Sequence, residues 1–409
     1  MPSFSIPLSG LTAESTALSA IANNLSNQNT VGYKDVRVLF SDLFYENLGT
    51  TGSGDPIQLG AGTQIDSMPG SFTQGSINST GVPTDVAIQG SGFFVVQRNG
   101  VTSYTRAGNF SVDKNNFLVT ADGQQVMGYP AVNGVVTPGQ GLTALQLGAG
   151  SISPPSATKS LQIATNLNSG AAVGDTFSTP VTIYDSLGAS HVLTFTFTKT
   201  AANTWGYSIG IPSADVSGSP TLNTGTLTFD GTGTLVAPAA NVTGIVINGL
   251  TDGASNMTFA WDLYNGATPT VSQEAAPSST SSTQQDGNSS GTLEDFSIGS
   301  DGTITGSFSN GRTAPLGQLA LAQFADVQGL QRDGANSFRE SLASGQAVIG
   351  APGTGGRGTL SGGAVELSNV DIATEFSNLI VAQRAFESDA KAVTTFDQIT
   401  QDTINLKQG

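Results

Sequence analysis

Cysteine is missing from all 409 residues, so neither a disulfide nor a thiolate-held metal can contribute to the fold, whatever the redox compartment. A single histidine, His191, leaves imidazole chemistry one position from which to operate. No apolar run approaches the roughly eighteen residues a helix needs to cross a bilayer, and a soluble protein or a part of a soluble assembly is expected. Charged residues make up 11% of the chain, under half of the roughly 25% of an average domain. Among them 14 basic side chains stand against 30 acidic ones, a net charge of −16. Most of the surface therefore repels phosphate backbones and anionic membranes, and neither nucleic acid nor membrane is expected as a partner. The start, MPSFSIPLSGLTAEST, has no basic residue before Lys34 and no apolar core of secretory length, so no cleaved Sec-type signal is expected.

What is present is 37% hydrophobic residues, 52 glycines and abundant Ser and Thr, enough apolar material for cores separated by many short strands and turns. The ends differ from the middle. Ile372, Phe376, Leu379, Gln383, Phe386, Ala390 and Val393 follow each other at alternating spacings of four and three, which holds one stripe of a long helix toward a partner. Phe4, Leu8, Leu11, Ser15, Leu18, Ala22 and Leu25 do the same near the start. The two stripes predict paired coiled-coil helices, each with one polar member, Ser15 or Gln383, that could set register. The first helix is expected from Pro7 to an end near Asn27 to Gly32. The second is expected from Asp371 to Lys407, about 55 Å long, capped by Ser368 with Asp371 at the third position and supported by a Glu387–Lys391 pair.

Between the helices the signals are those of β structure, giving a fold class of α+β, mainly β, with nested domains. Turns are expected at Asn99-Gly100, at Lys114 to Asn116 and at Asp122-Gly123, making a β domain over 70–150. SISPPSATKS marks a boundary, after which 151–290 reads as an inserted outer β domain. There Val192, Thr194, Thr196 and Thr198 alternate with Leu193, Phe195 and Phe197, the mark of a half-buried strand. Hairpin turns at Asp301-Gly302 and Asn310-Gly311 return the chain to the inner β domain over 291–344. Residues 33–69 and about 345–367 show no periodicity and read as an extended connecting region, leaving 1–32 and 368–409 as the helical domain.

No catalytic constellation emerges. His191 has no evident partner set and reads as a strand residue. Ser156-Ala157-Thr158-Lys159 lacks companion motifs and lies in a Pro-rich linker. Gly353-Thr354-Gly355-Gly356-Arg357-Gly358 spells a dinucleotide fingerprint but opens no helix, and reads as a flexible loop. Asp113, Asn115 and Asn116 lack the remaining ligands of a calcium loop. No catalytic, cofactor-binding or metal-ligating residue is expected, no cofactor, and no enzymatic activity.

The segment LSGLTAESTALSAIANNLSNQNTVGYKD, through Asn23, Asn24, Asn27, Thr30, Gly32, Tyr33 and Lys34, resembles the N-terminal signature of the bacterial flagellar rod/hook axial family. The C-terminal third resembles the hook members of that family through Phe324, Gly329, Leu330, Gly334, Phe338, Ser344, Gly345, Gly358, Ser368, Asn369, Val370, Asp371, Gln383 and Arg384. YDSLGASHVLTFTF and QDGNSSGTLEDFSIGSDGTITGSFSNG extend that resemblance through the middle. Leu379 and Asn288 are mild departures, and the long 46–59 segment, with IQLGAGT, is similar to the distal rod protein.

The resemblance implies a structural subunit that self-assembles into a curved tube, a universal joint passing torque from rod to filament. It also implies as partners other copies of the chain, the rod, the hook cap, the hook–filament junction protein and the type III export apparatus, with an extracellular place in the flagellum. The seam residues Leu8, Leu11, Ser15, Leu18, Ala22, Leu25, Ile372, Phe376, Leu379, Gln383, Phe386, Ala390 and Val393 are then assembly residues, disordered in the monomer and folded on polymerisation. A rigid distal rod protein is the alternative within the family. A secreted β-rich adhesin or hydrolase is the alternative outside it.

Overall fold

The computed structural model describes residues 5–132, 134–147, 152–217 and 223–406; Phe4 and Lys407, expected in the helical stripe and at a helix end, lie outside them. The chain folds into two compact units, 1–148 with 296–306 and 314–409, and 149–295 with 307–313. The helical and connecting segments and most of the inner β segments expected as separate domains fall within the first unit, while 291–295 and 307–313 fall in the second.

Helix α1 spans Ser5–Ser26 and helix α2 spans Ile372–Leu406. The first begins two residues before Pro7, which still sits in the opening turn, where its missing N–H costs nothing. The second is capped by Asp371 and not by Ser368: Asp371 Oδ1 accepts from the N–H of Ala373 (2.9 Å) and of Thr374 (3.2 Å). Ser368 lies three residues too early for that and instead accepts from Val370 N–H at 3.3 Å.

In the first unit, Phe93–Arg98 and Val101–Thr105 form the hairpin expected at Asn99-Gly100, both of whose turn residues have positive φ (50° and 81°). One face of this sheet carries Val86, Ile88, Phe94, Val96, Leu118, Val126, Leu319 and Leu321. The other gathers Phe93, Tyr104, Phe324 and Phe338, whose rings meet edge to face, as Tyr104 and Phe324 do at 4.8 Å.

The connecting segments differ from expectation. Leu39–Asp42 pairs with Thr63–Ser67, and Tyr45–Thr50 pairs with Pro56–Gly60. On the return, Val348–Gly350 pairs with Leu321–Gln323, Thr359–Gly362 with Val86–Gln89, and Ala364–Glu366 with Ile77–Ser79. Strand pairing needs only backbone donors and acceptors on a facing strand, so it arises here without alternation in the sequence. The 353–358 loop is closed upon itself, with Gly353 N–H donating to Gly358 O at 2.9 Å and Arg357 donating to Ala351 O at 3.2 Å and Thr354 Oγ1 at 2.9 Å.

The second unit is built from two five-stranded sheets. One holds Thr176–Tyr184, Ser190–Ala201, Thr204–Gly210, Thr224–Phe229 and Leu235–Ala237. The other centres on Ser160–Asn168, with Ser279–Gln285 antiparallel to it and Met257–Asp262 and Val271–Glu274 parallel. The alternation read at 192–198 is observed: Leu193, Phe195 and Phe197 are buried while Val192 and Thr194 are exposed. Trp261 from one sheet meets Phe195 and Tyr207 from the other at 5.1 Å each, and this layer of aromatics is the core of a β-sandwich.

Candidate assembly surface

The helix pair is closed by small residues. On α1 the buried positions are Pro7, Ala13, Ala20 and Asn24; on α2 they are Glu375 and Ala382. Gly10 packs directly on the Asp389 carboxylate. Burial, together with the neighbouring Asp389, holds the Glu14 carboxyl above the usual carboxylate range. Alanine and glycine let two backbones approach closely, so the seam runs along 10, 13, 20 and 24 against 375, 382 and 389.

None of the thirteen residues expected to form that seam is fully buried. Leu8 (56% exposed), Ser15, Ala22, Ile372, Phe376 (52% exposed) and Gln383 face outward. Leu11, Leu18, Leu25, Leu379, Phe386, Ala390 and Val393 are half-buried. The fully buried positions follow residue size, because the close-approach line admits only small side chains. Ile380 and Val381 widen the outward apolar face of α2.

Beside it stands the hairpin of 39–67. Its base is pinned to α1, where Ser9 Oγ accepts from Thr63 N–H at 3.1 Å. Beyond that anchor it exposes Leu39, Phe40, Phe44 (91% exposed), Leu48, Ile57, Leu59 and Ile65. Two-stranded hairpins in water are marginal at best without cover.

Where the helices meet the β structure, the residues of the N- and C-terminal signatures come together. Asn24 uses its whole amide: Oδ1 accepts from Val36 N–H (3.1 Å) and Tyr33 Oη (3.2 Å), while Nδ2 donates to Val36 O (2.9 Å) and Glu375 Oε2 (3.3 Å). Asn369 ties the opposite strand in, accepting from Asp35 N–H and donating to Ser71 O, both at 2.9 Å. Gly32 has φ +68° and lies against the Arg106–Ala107 backbone, where a Cβ would come within 2.7 Å of Ala107 N. Below it, fully buried Glu366 bonds Lys34 Nζ at 2.5 Å and Arg106 at 3.2 Å. Lys34 also donates to Thr73 O (2.7 Å), Gly75 N–H to Glu366 Oε1 (2.9 Å) and Arg106 to Gly90 O (2.7 Å). Burial lowers the pKa of Lys34 and of Arg106, against the opposing pull of Glu366. Nothing in the sequence marked Glu366 or Arg106, which lie far from Lys34 along the chain.

His191 is not the partnerless strand residue expected. It is buried on the inner side of Ser190–Ala201, with Nε2 at 3.1 Å from Asp185 Oδ2 and 3.5 Å from Asp252 Oδ2, and Nδ1 at 3.3 Å from Asp215 Oδ2. The partners come from three separate loops, so no spacing in the sequence announces them. Lys199, further along the strand, is also buried, donating to Gln273 Oε1 at 3.0 Å with its ammonium over the Trp205 ring.

Four family models match parts of the chain: Flagella basal body rod protein over residues 6–34, Flagellar hook protein FlgE/F/G D1 domain over 87–166, Flagellar basal body protein FlaE D2 domain over 156–288, and Flagellar basal body rod FlgEFG protein C-terminal over 361–406. Among curated relatives, the flagellar hook protein FlgE of Escherichia coli K12 is 35% identical over 420 residues, covering 99% of this chain and all of that protein. That of Treponema pallidum is 33% identical over 455 residues, and that of Rhizobium meliloti 31% over 418, each covering 98% of both chains.

Proposed function

The chain belongs to the flagellar hook protein family, and from that premise we propose that it is a structural subunit of the bacterial flagellar hook. Its copies build a curved tube that passes torque from rod to filament. One observation carries the assembly mechanism: the helices close on each other through small residues and turn their large apolar side chains outward. Of the 35 residues of α2, only Glu375 and Ala382 are buried, and a helix with so little cover is marginal in water. Other copies of the chain supply the missing cover, so folding of the termini and polymerisation are one event. The thirteen stripe residues are in this reading contacts between subunits, with Ser15 and Gln383 setting register.

The β units, with few charges, exchange contacts between neighbours at little cost. Rod, hook cap, hook–filament junction protein and export apparatus are its further partners, and the extracellular hook is its place. The role is mechanical and not catalytic. Electron microscopy of the purified polymer tests it: curved tubes from the full chain and none from a chain ending at residue 370 are expected. Straight tubes would assign it to the distal rod, and normal tubes from the truncated chain would overturn the mechanism.

A further inference from the structure

The one histidine of the chain is enclosed by three carboxylates, each from a different part of the second unit. Asp185 heads the turn before the Ser190–Ala201 strand, and its Oδ1 is already occupied by the N–H groups of Leu187 (2.8 Å) and Ala189 (2.9 Å). Its Oδ2 is what remains to face His191 Nε2. Asp215 and Asp252 belong to two further loops, joined to each other by Thr251 N–H donating to Asp215 O at 3.0 Å and Thr251 Oγ1 donating to Ala214 O at 3.0 Å. Ser255 N–H donates to Ser186 Oγ at 3.0 Å, linking the Asp252 loop to the Asp185 turn. Among the described residues, no Lys or Arg forms an ion pair with any of the three carboxylates.

We propose that His191 is a proton-operated clamp: as imidazolium it holds the loops 185–189, 212–217 and 249–255 together, and on losing its proton it releases them. The chemistry is local. With both ring nitrogens protonated, Nε2–H and Nδ1–H each donate to a carboxylate, and one positive charge offsets part of three negative ones. A neutral ring keeps one N–H, so one carboxylate faces a lone pair and the cluster loses the positive charge that offset its carboxylates. Burial disfavours the charged ring, yet the hydrogen bonds and charges of Asp185 and Asp215 outweigh it and raise the pKa above its ordinary 6.5. A raised folded value means the clamp contributes in full below about 6.5 and is lost as pH rises through the folded value.

Because no other histidine exists, one imidazole resonance reports the clamp. The test is NMR titration of full-length, histidine-labelled protein in EDTA, with hydrogen-exchange protection of the three loops followed over the same pH range. The expected midpoint lies above 6.5, falls in Asp252→Asn, and coincides with loss of loop protection that is absent in His191→Gln. Each unit by which the midpoint exceeds the ordinary value corresponds to about tenfold weaker closure after deprotonation. Should His191→Gln not fold, Asp252→Asn, altered at an exposed side chain, carries the comparison alone. A midpoint at or below 6.5, or loop protection that does not change through it, would overturn the proposal.

Discussion

Lys34 and Glu366, 332 positions apart, meet at 2.5 Å with both side chains wholly buried. Their contact joins the end of the N-terminal signature to the strand that leads into α2, and Arg106 completes it from the β sheet. Breaking a buried ion pair from one side strands a charge and costs about 3–5 kcal/mol, far more than an exposed pair is worth. Glu366→Gln should therefore lower the thermal unfolding midpoint of the first unit sharply. Arg37→Gln, which removes an exposed guanidinium lying 4.0 Å from the mostly buried Asp35 carboxylate, should leave it within error. Calorimetry of the two variants checks the contrast; equal midpoints would mean that the buried triad contributes nothing.

Gly32 tests the same joint through the backbone. A left-handed φ costs any other residue about 1–2 kcal/mol, and here a Cβ would also strike the Arg106–Ala107 backbone. Gly81 has the same backbone requirement, φ +70°, with nothing within 4 Å of its would-be Cβ. Denaturant unfolding should show Gly32→Ala to be the more damaging of the two by more than the shared backbone cost. If both alanine variants lose equal stability, the close approach at Gly32 has no consequence.

The acid limb of the second unit follows from Asp185. Burial raises its carboxyl pKa, but its interactions with Asp252, His191 and the Ala189 and Leu187 N–H groups bring it below the ordinary 3.8. A depressed folded value contributes stability in full above pH 3.8 and loses it as pH falls through the folded value. Stability against pH should therefore bend downward on the acid side, and Asp185→Asn should flatten that bend. An unchanged acid limb in the variant would contradict the assignment.

Phe376 separates assembly from subunit folding. It is half exposed on α2, so Phe376→Ser should leave unfolding of the β units unchanged. Burial of such a side chain against a neighbour is worth about 1.5–3 kcal/mol, and at 1.4 kcal/mol per tenfold the critical concentration for polymerisation should rise by about 10- to 100-fold. Sedimentation of polymer across a dilution series measures it; no change would remove Phe376 from the contacts between subunits.

Gln383 is exposed on the isolated subunit, so Gln383→Leu should be neutral there and alter only polymer form. A lone polar group in an apolar stripe fixes register at some cost in stability. Identical polymer shape and assembly in the variant, seen by electron microscopy, would refute that role.

Much of this was legible in the sequence, for physical reasons that differ by element. The helices showed through their period, and the strand at 192–198 through its alternation, because burial on one face imposes both patterns. The Asn99-Gly100 turn showed because positive φ selects those residues. The fully buried helix positions Ala13, Ala20 and Ala382 are less legible, since small residues carry little of the hydrophobic period. The hairpin of 39–67 and the return strands near 350–366 are held by backbone pairing with little burial pattern to advertise it. The Glu366 and His191 clusters were invisible because tertiary folding, not spacing, gathers their members.

The central claim is that the terminal helices take their cover from other copies of the chain. Hydrogen exchange on monomer and polymer, compared at the amides of 5–26 and 372–406, tests it most directly. Weak protection in the monomer and strong protection in the polymer is the predicted result, with the β-sandwich core around Trp261 equally protected in both. Equal protection of the helices in the two states would contradict the claim.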